Sequence, residues 1–353
     1  MFGIVATLKR HAFLALTGYI LYFYSEKVFW GHFRPGELKL SEFIFTWLAY
    51  SLLAFVFLTV VRCFRVKDLH ALFLCGGLFG WVAEGIVVQT MYENFPINIS
   101  CTGLSWHALF SIMVGWYWLR RSLIAGELGK TVKLCTWMGV FWGLWSVFWW
   151  TEDKQVTPLL DYCVYALSTT VLLIAAYWLY DCYRGWLFQP ARWEMITVSL
   201  ILLFLFFFVT VPKVPLALGI FPAAVVPTVL LLLRYRNSID RSTVKAKIES
   251  RDPSVINGLA ESGERSYDDC LDDVLAGSMR GCDAACIFVM PLVAIAIYWL
   301  LLVSGIRQPF TGWVVYLATT ICGFLGYILA AVKILRGTAR SASGSCTNSP
   351  EAS

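Results

Sequence analysis

Charge is what this chain has least of. Only 14% of its 353 residues are Asp, Glu, Lys or Arg, against about 25% in an ordinary soluble domain. With 59% hydrophobic residues and a mean hydropathy of +0.68, a water-soluble fold is excluded. Histidine is scarcer still, at four, and none sits in a His-Glu-x-x-His pair, which excludes a zincin-type metal site. The apolar runs lack the period-two alternation of a membrane barrel strand, so a β-barrel is excluded as well. The eleven cysteines form no disulfide framework, because in the topology argued below only Cys101 falls in an outside loop. Cys282-Asp-Ala-Ala-Cys286 has the wrong spacing for a zinc knuckle and no histidine nearby.

What the chain does have is ten apolar runs, near 11–30, 43–62, 69–91, 103–119, 134–150, 160–180, 195–211, 214–233, 285–305 and 313–334. A bilayer-crossing helix needs roughly 20 such residues, and backbone polar groups in lipid must be paired within the span. The expected fold is therefore all-α: a multi-pass integral membrane protein of about ten transmembrane helices. Orientation follows from the basic residues. If the N-terminus is cytoplasmic, 22 of the 28 Lys and Arg fall on the cytoplasmic side, as the positive-inside rule requires. Both termini are then cytoplasmic. Lys9-Arg10 followed by apolar sequence to Trp30, with no small-residue cleavage site, is read as an uncleaved signal-anchor. The net charge of +5 comes from juxtamembrane clusters such as Arg120-Arg121 and Arg234-Tyr-Arg236. These contact anionic lipid, and no nucleic-acid partner is expected.

The chain divides into an eight-span membrane region (1–234), a cytoplasmic loop (235–284), two further spans (285–334) and a polar, disordered cytoplasmic tail (335–353). The loop is expected to hold one or two short surface helices. Polar residues in or at the edge of the membrane, Glu26, Glu84, Gln89, His107 and Asp161, are confined to spans one to six. Spans seven to ten are nearly pure hydrocarbon, as in Leu200–Val209, and are expected only to support the site. Gly139-Val-Phe-Trp-Gly143 is a close-packing GxxxG face in span five.

An ionisable residue at membrane depth marks a functional site by default. Glu84 lies in the third run, six residues before Thr90, roughly 9 Å along a helix axis from the end of its span. His107 lies four residues after Gly103, roughly 6 Å from the same surface. Gly77, Gly80 and Glu84 share one helical stripe, and His107, Ser111 and Gly115 share another. Small residues let helices approach, so each polar group is expected to face the other helix. Glu84 and His107 are the candidate catalytic pair. Gln89, Tyr92, Trp106, Ser111, Trp149 and Asp161 are the candidate substrate-binding residues around an outward-facing vestibule.

Such a pair can serve as base and partner in acid–base chemistry. It can also hold a divalent metal, with Glu93, Asp153 or His32 completing the shell, or simply fix helix packing as a buried hydrogen bond. The loop Tyr92–Thr102 carries no Lys or Arg, and Asn98-Ile-Ser100 is a glycosylation sequon too near the membrane for efficient modification. The first outside loop, Ser25–Arg34, can form a lid or equally a solvated loop whose long side chains snorkel to water. Asp268-Asp269-Cys-Leu-Asp272-Asp273 contains the DDxxD string of membrane prenyltransferases, but the second acidic motif those enzymes need is missing. Glu84-Gly-x-x-x-Gln89 with His107 resembles faintly two elements of CAAX-type intramembrane proteases, over about 25 residues, without their second Glu, their Arg and their further histidine motif.

Three functional expectations remain. The first is a membrane-embedded enzyme acting on a lipid-like or isoprenoid substrate. The second is a proton-coupled secondary transporter using Glu84, and the third a non-catalytic scaffold. Concentration of the polar residues in one half and near one face favours the enzyme, because ten-span transporters are commonly inverted repeats with polar helices in both halves. The charge distribution also gives an expected outcome. A cysteine-accessibility assay on sealed vesicles should place the C-terminal tail and the loop after Arg236 on the cytoplasmic side, and a tail labelled from outside would overturn the topology.

Overall fold

In a computed structural model of the chain, all ten apolar runs are helical. The structure describes residues 2–33, 39–152, 156–183, 188–249, 277–279, 281, 283–305 and 309–343. We number the long helices α1 (Phe2–Tyr22), α2 (Leu40–Cys63), α3 (Leu69–Val82), α4 (Ile99–Leu119), α5 (Leu128–Ser146), α6 (Leu159–Asp181), α7 (Arg192–Phe204), α8 (Ala217–Glu249), α9 (Val289–Ser304) and α10 (Pro309–Ser343). Seven of them, with their short extensions, are long and apolar enough to cross a membrane: α2, α3, α6, α7, α8, α9 and α10. The other three, α1, α4 and α5, are packed among these seven.

Burial sorts the helices into a centre and a periphery. The apolar window of α3 is 89% buried and that of α7 only 11%. Helix α3 is clasped by α4, α10, α2 and α8, whereas Leu200, Leu203, Phe204, Phe207 and Phe208 of α7 point outward. Hydrocarbon on that outer face matches lipid as solvent. A carboxylate is tolerable on α3 because protein, not lipid, surrounds it.

Glycines set the closest approaches. A Cβ on Gly80 would lie 2.9 Å from the Cβ of His107, and one on Gly76 2.8 Å from the Cα of Ala108. Helices α3 and α4 therefore meet backbone to backbone. The GxxxG of α5 works the same way against α9, where a Cβ on Gly143 would lie 2.7 Å from the carbonyl oxygen of Ala294. Small residues allow the dispersion contacts that drive helix association in lipid.

Four stretches wind with i→i+5 hydrogen bonds instead of i→i+4: Phe23–Lys27 after α1, Ala83–Val87 after α3, all of α4, and Leu205–Thr210 after α7. Such π-helical turns are rare and gather at functional sites. The first of them carries α1 on through Val28–Trp30 until Gly31, at φ 66°, ends it. A left-handed glycine is the common helix stop.

Three expectations are corrected. Ser25 to Trp30 is not an outside loop or lid but the continuation of α1, with Ser25, Lys27 and Val28 buried. The apolar run continues to Trp30, and burial outweighs the charges of Glu26 and Lys27. The C-terminal tail, expected to be disordered after Arg336, stays helical to Ser343, as the helix formers Ala339, Arg340 and Ala342 allow. The loop expected from residue 235 also begins as helix, since α8 runs to Glu249 and Asp240 there pairs with Arg65. The acidic Asp268–Asp273 string lies outside the described residues.

The glycine contacts generate a stability comparison. Gly143→Leu should push α5 off α9 and cost about 1–3 kcal/mol, the usual effect of overpacking. Gly219→Ala, exposed on α8 with nothing within 4 Å of the added Cβ, should be neutral or slightly stabilising. Melting temperatures of the two variants in mild detergent check this, and equal shifts would refute the packing role of Gly143.

Candidate functional site

The site grows from three π-helical turns, each of which delivers one polar side chain to the same point. Glu84 comes from the turn after α3, His107 from α4 and Ser25 from the turn after α1. The Nε2 of His107 lies 2.7 Å from Oε1 of Glu84, and its Nδ1 lies 3.0 Å from Oγ of Ser25. The expected Glu84–His107 contact is therefore present, and the imidazole bridges on to a serine that the sequence reading did not place there. One tautomer satisfies all three groups: Nε2–H donates to the carboxylate, and the Ser25 hydroxyl donates to Nδ1. Side chains of His107, Glu84 and Ser25 are nearly or fully buried.

Each member is held by further contacts. The Thr90 hydroxyl donates to Oε2 of Glu84. Ser111, four residues along the stripe from His107, has its Oγ 2.8 Å from that of Ser25 and 3.0 Å from the Trp106 carbonyl oxygen. Phe79 sets a ring edge-on to the imidazole, with centroids 5.3 Å apart. At Gly115 the stripe takes the Tyr24 ring directly, and the Tyr177 hydroxyl donates to the Gly115 carbonyl.

Carbonyl groups near the end of the α1 extension, where intrahelical donors run short, accept from aromatic side chains, and the Lys27 carbonyl also accepts from the Gly31 N–H at 3.3 Å. Trp106 Nε1 donates to the Ser25 carbonyl (3.1 Å) and the Tyr165 hydroxyl to that of Lys27 (2.9 Å). Trp145 and Trp149 both donate to Phe29, each at 2.7 Å. Four aromatic residues, from α4, α5, the short helix Trp149–Glu152 and α6, thereby fix the backbone that carries Ser25.

Beside this cluster lies a cavity of about 700 Å³, within the usual range of small-molecule sites. Ser25, Glu84, Trp106 and Trp149 face it, together with Glu26, Trp30, Tyr50, Thr90, Glu93 and Asn98. The Glu26 carboxylate accepts from the Tyr50 hydroxyl (2.8 Å) and from Trp30 Nε1 (2.9 Å). His107 stands behind Ser25 and Glu84, outside the lining.

The predicted binding residues divide. Trp106 and Trp149 line the cavity, and Ser111 contacts the hydroxyl of Ser25 from behind. Gln89, Tyr92 and Asp161 do not line it. Gln89 sits at φ 75° where the chain leaves α3. Tyr92 turns its hydroxyl back to the Gly85 carbonyl (2.8 Å), and burial pushes its phenol up to about 12, so it stays a neutral donor. Asp161 is exposed in the first turn of α6. Depth alone placed these three with Glu84, and none of them reaches the cavity wall.

Helix α10, expected only to support, contributes Trp313 and Tyr316 to the cavity wall. Its carbonyls at Thr319 and Thr320 accept from Ser105 and Ser100 of α4. The site is therefore not confined to spans one to six. Among the described residues no three of His, Cys, Asp and Glu converge as metal ligands would. Asp153 lies outside the described residues, and His32 turns its Nδ1 to the Trp30 carbonyl. Asn98 of the sequon is buried, donating to the Thr90 carbonyl (3.0 Å) and accepting from Tyr316 (2.6 Å).

The chain matches no family model, no curated protein and no solved structure. Geometry alone must carry the functional reading.

Because the Asn98 amide links the loop to α10, Asn98→Ala should destabilise the protein by about 1–3 kcal/mol, the cost of leaving buried partners unsatisfied. A thermal melt in detergent reads the loss, and an unchanged midpoint would contradict the bridging role.

Proposed function

We propose that this protein is a membrane-embedded acyl-transfer enzyme, a hydrolase or transferase of lipid-like esters or amides, with Ser25 as nucleophile. The observation that carries the reading is the Ser25–His107–Glu84 array at the wall of a mostly apolar cavity. A serine, a base and an orienting carboxylate within hydrogen-bond reach are the parts of nucleophilic catalysis, recognised by geometry and not by chain order. Here Nδ1 of the imidazole faces the serine and Nε2 the carboxylate, the reverse of the usual arrangement, and either nitrogen can accept the proton.

The chemistry then runs through this chain's own groups. Ser25 Oγ attacks the acyl carbonyl carbon while its proton passes to Nδ1 of His107. Glu84 stabilises the imidazolium that forms, and the Thr90 hydroxyl holds the carboxylate in place. The bond from acyl carbon to leaving group breaks, and His107 returns the proton to the departing oxygen or nitrogen. Water or a second alcohol then attacks the acyl-serine by the same route. Ser111 can turn its hydroxyl from the Trp106 carbonyl toward Ser25 as charge develops there. The aromatic wall excludes bulk water, which strengthens each of these polar contacts.

The reading includes the topology argued from basic residues: ten spans, both termini cytoplasmic, and a cavity facing outward. Helices α1, α4 and α5 count as spans in this scheme, each being long and packed against neighbouring spans. The bilayer is then the reservoir of substrate as well as the solvent.

A fluorophosphonate carrying an alkyl chain should label the purified protein at Ser25. Ser25→Ala should abolish the labelling, and His107→Gln should slow it at least 10³-fold, in line with the loss of a triad member. Glu84→Gln, nearly isosteric, should slow it with little loss of folded protein. Mass spectrometry identifies the labelled residue. Labelling that survives Ser25→Ala, or no labelling at all in a folded, lipid-reconstituted sample, would refute the reading.

A further inference from the structure

The wall of the cavity says what kind of head group it takes. Among its described lining residues are three carboxylates, Glu26, Glu84 and Glu93, and no Lys, Arg or His. Much of the remaining wall is aromatic: Phe29, Trp30, Tyr50, Trp106, Trp145 and Trp149 all face the space. Trp30 and Trp149 stack with centroids 4.2 Å apart, and Phe29 meets Trp106, Trp145 and Trp149 in tilted or edge-on contacts at 4.7 to 5.5 Å. These rings are fixed: the indoles of Trp30, Trp106, Trp145 and Trp149 are each anchored by a hydrogen bond. An aromatic wall with carboxylates among its rings attracts a cation twice, through the ring quadrupoles and through direct charge. A phosphate or carboxylate head group would meet the same carboxylates and the negative faces of the same rings.

We propose that the cavity binds an amphiphile whose head group carries a positively charged ammonium, quaternary or protonated, with its apolar tail against the aromatic wall. The inference rests on the acyl-transfer reading for what happens after binding, but binding itself is independent of Ser25. Glu26 is the main recognition carboxylate. Its two oxygens are held by Tyr50 and Trp30, which themselves line the cavity, so charge and rings are presented together. Glu93 adds charge from the exposed loop side. Glu84 serves the imidazole and contributes only to the overall field.

The test titrates the purified protein, in neutral maltoside micelles, with dodecyltrimethylammonium, and with dodecyl phosphate at equal micellar mole fraction. Quenching of intrinsic tryptophan fluorescence is the readout. The ammonium amphiphile should quench saturably, at a midpoint at least tenfold lower than the phosphate. Glu26→Gln should raise that midpoint about tenfold or more. If that variant does not fold, Glu93→Gln, at an exposed position, should raise the ammonium midpoint by a smaller factor without a change in melting temperature. Equal midpoints for the two amphiphiles, a preference for the phosphate, or midpoints unmoved in both glutamate variants would overturn the assignment. The two readings fail separately. Lost ammonium preference with fluorophosphonate labelling intact removes the head group alone, whereas retained preference without labelling at Ser25 removes the acyl-transfer chemistry alone.

Discussion

The contact between Glu84 and His107 depends on how closely α3 and α4 approach, and most of the site depends on that contact. The two helices meet at Gly76 and Gly80, where no side chain stands between the backbones. Only at such a separation does a carboxylate on one helix reach an imidazole on the other at 2.7 Å. The imidazole then has one nitrogen left, and the third π-turn supplies Ser25 to it. A buried polar cluster is stabilising only if its members are all satisfied. Here Thr90 and Ser111 extend the chain of partners at both ends. Removing one member without replacing its hydrogen-bonding capacity leaves the others buried and unpaired, which costs more than the lost bond itself.

The helical class, the positions of the helices and the Glu84–His107 contact were legible in the sequence. Apolar run length reports on lipid or protein burial, and the glycine stripes below Glu84 and beside His107 report on close packing. Ser25 was not legible. It follows Tyr24 and precedes Glu26-Lys27, a pattern that reads as a helix leaving the membrane. The burial of Lys27, which lies over the Tyr22 ring at 4.9 Å, has no signature in composition. Nor do the π-turns, because a change of register from i+4 to i+5 leaves no mark in residue type. Gln89 and Asp161, grouped with Glu84 by depth, do not line the cavity.

The role of α10 was hidden for a different reason. Trp313 and Tyr316 look like an interfacial aromatic belt, and in a span of otherwise apolar and small residues nothing distinguishes a lipid-facing ring from a cavity-facing one. What ties α10 to the site is its own backbone, whose carbonyls accept hydroxyls from Ser100 and Ser105. Hydroxyl-to-backbone contacts between helices depend on crossing geometry, which a single sequence does not encode locally.

The order of the site's parts along the chain has a consequence for how the protein comes into being. The serine is synthesised 82 residues ahead of its histidine, and the indoles that cap its helix, Trp145 and Trp149, follow later still. During synthesis α1 and its extension precede every helix whose side chains meet Ser25, so the polar cluster closes only once α3 and α4 have been made. Tyr316, which closes the wall from α10, is among the last parts delivered. On the acyl-transfer reading proposed above, reactivity is withheld from the nascent chain until α3 and α4 have assembled around Ser25.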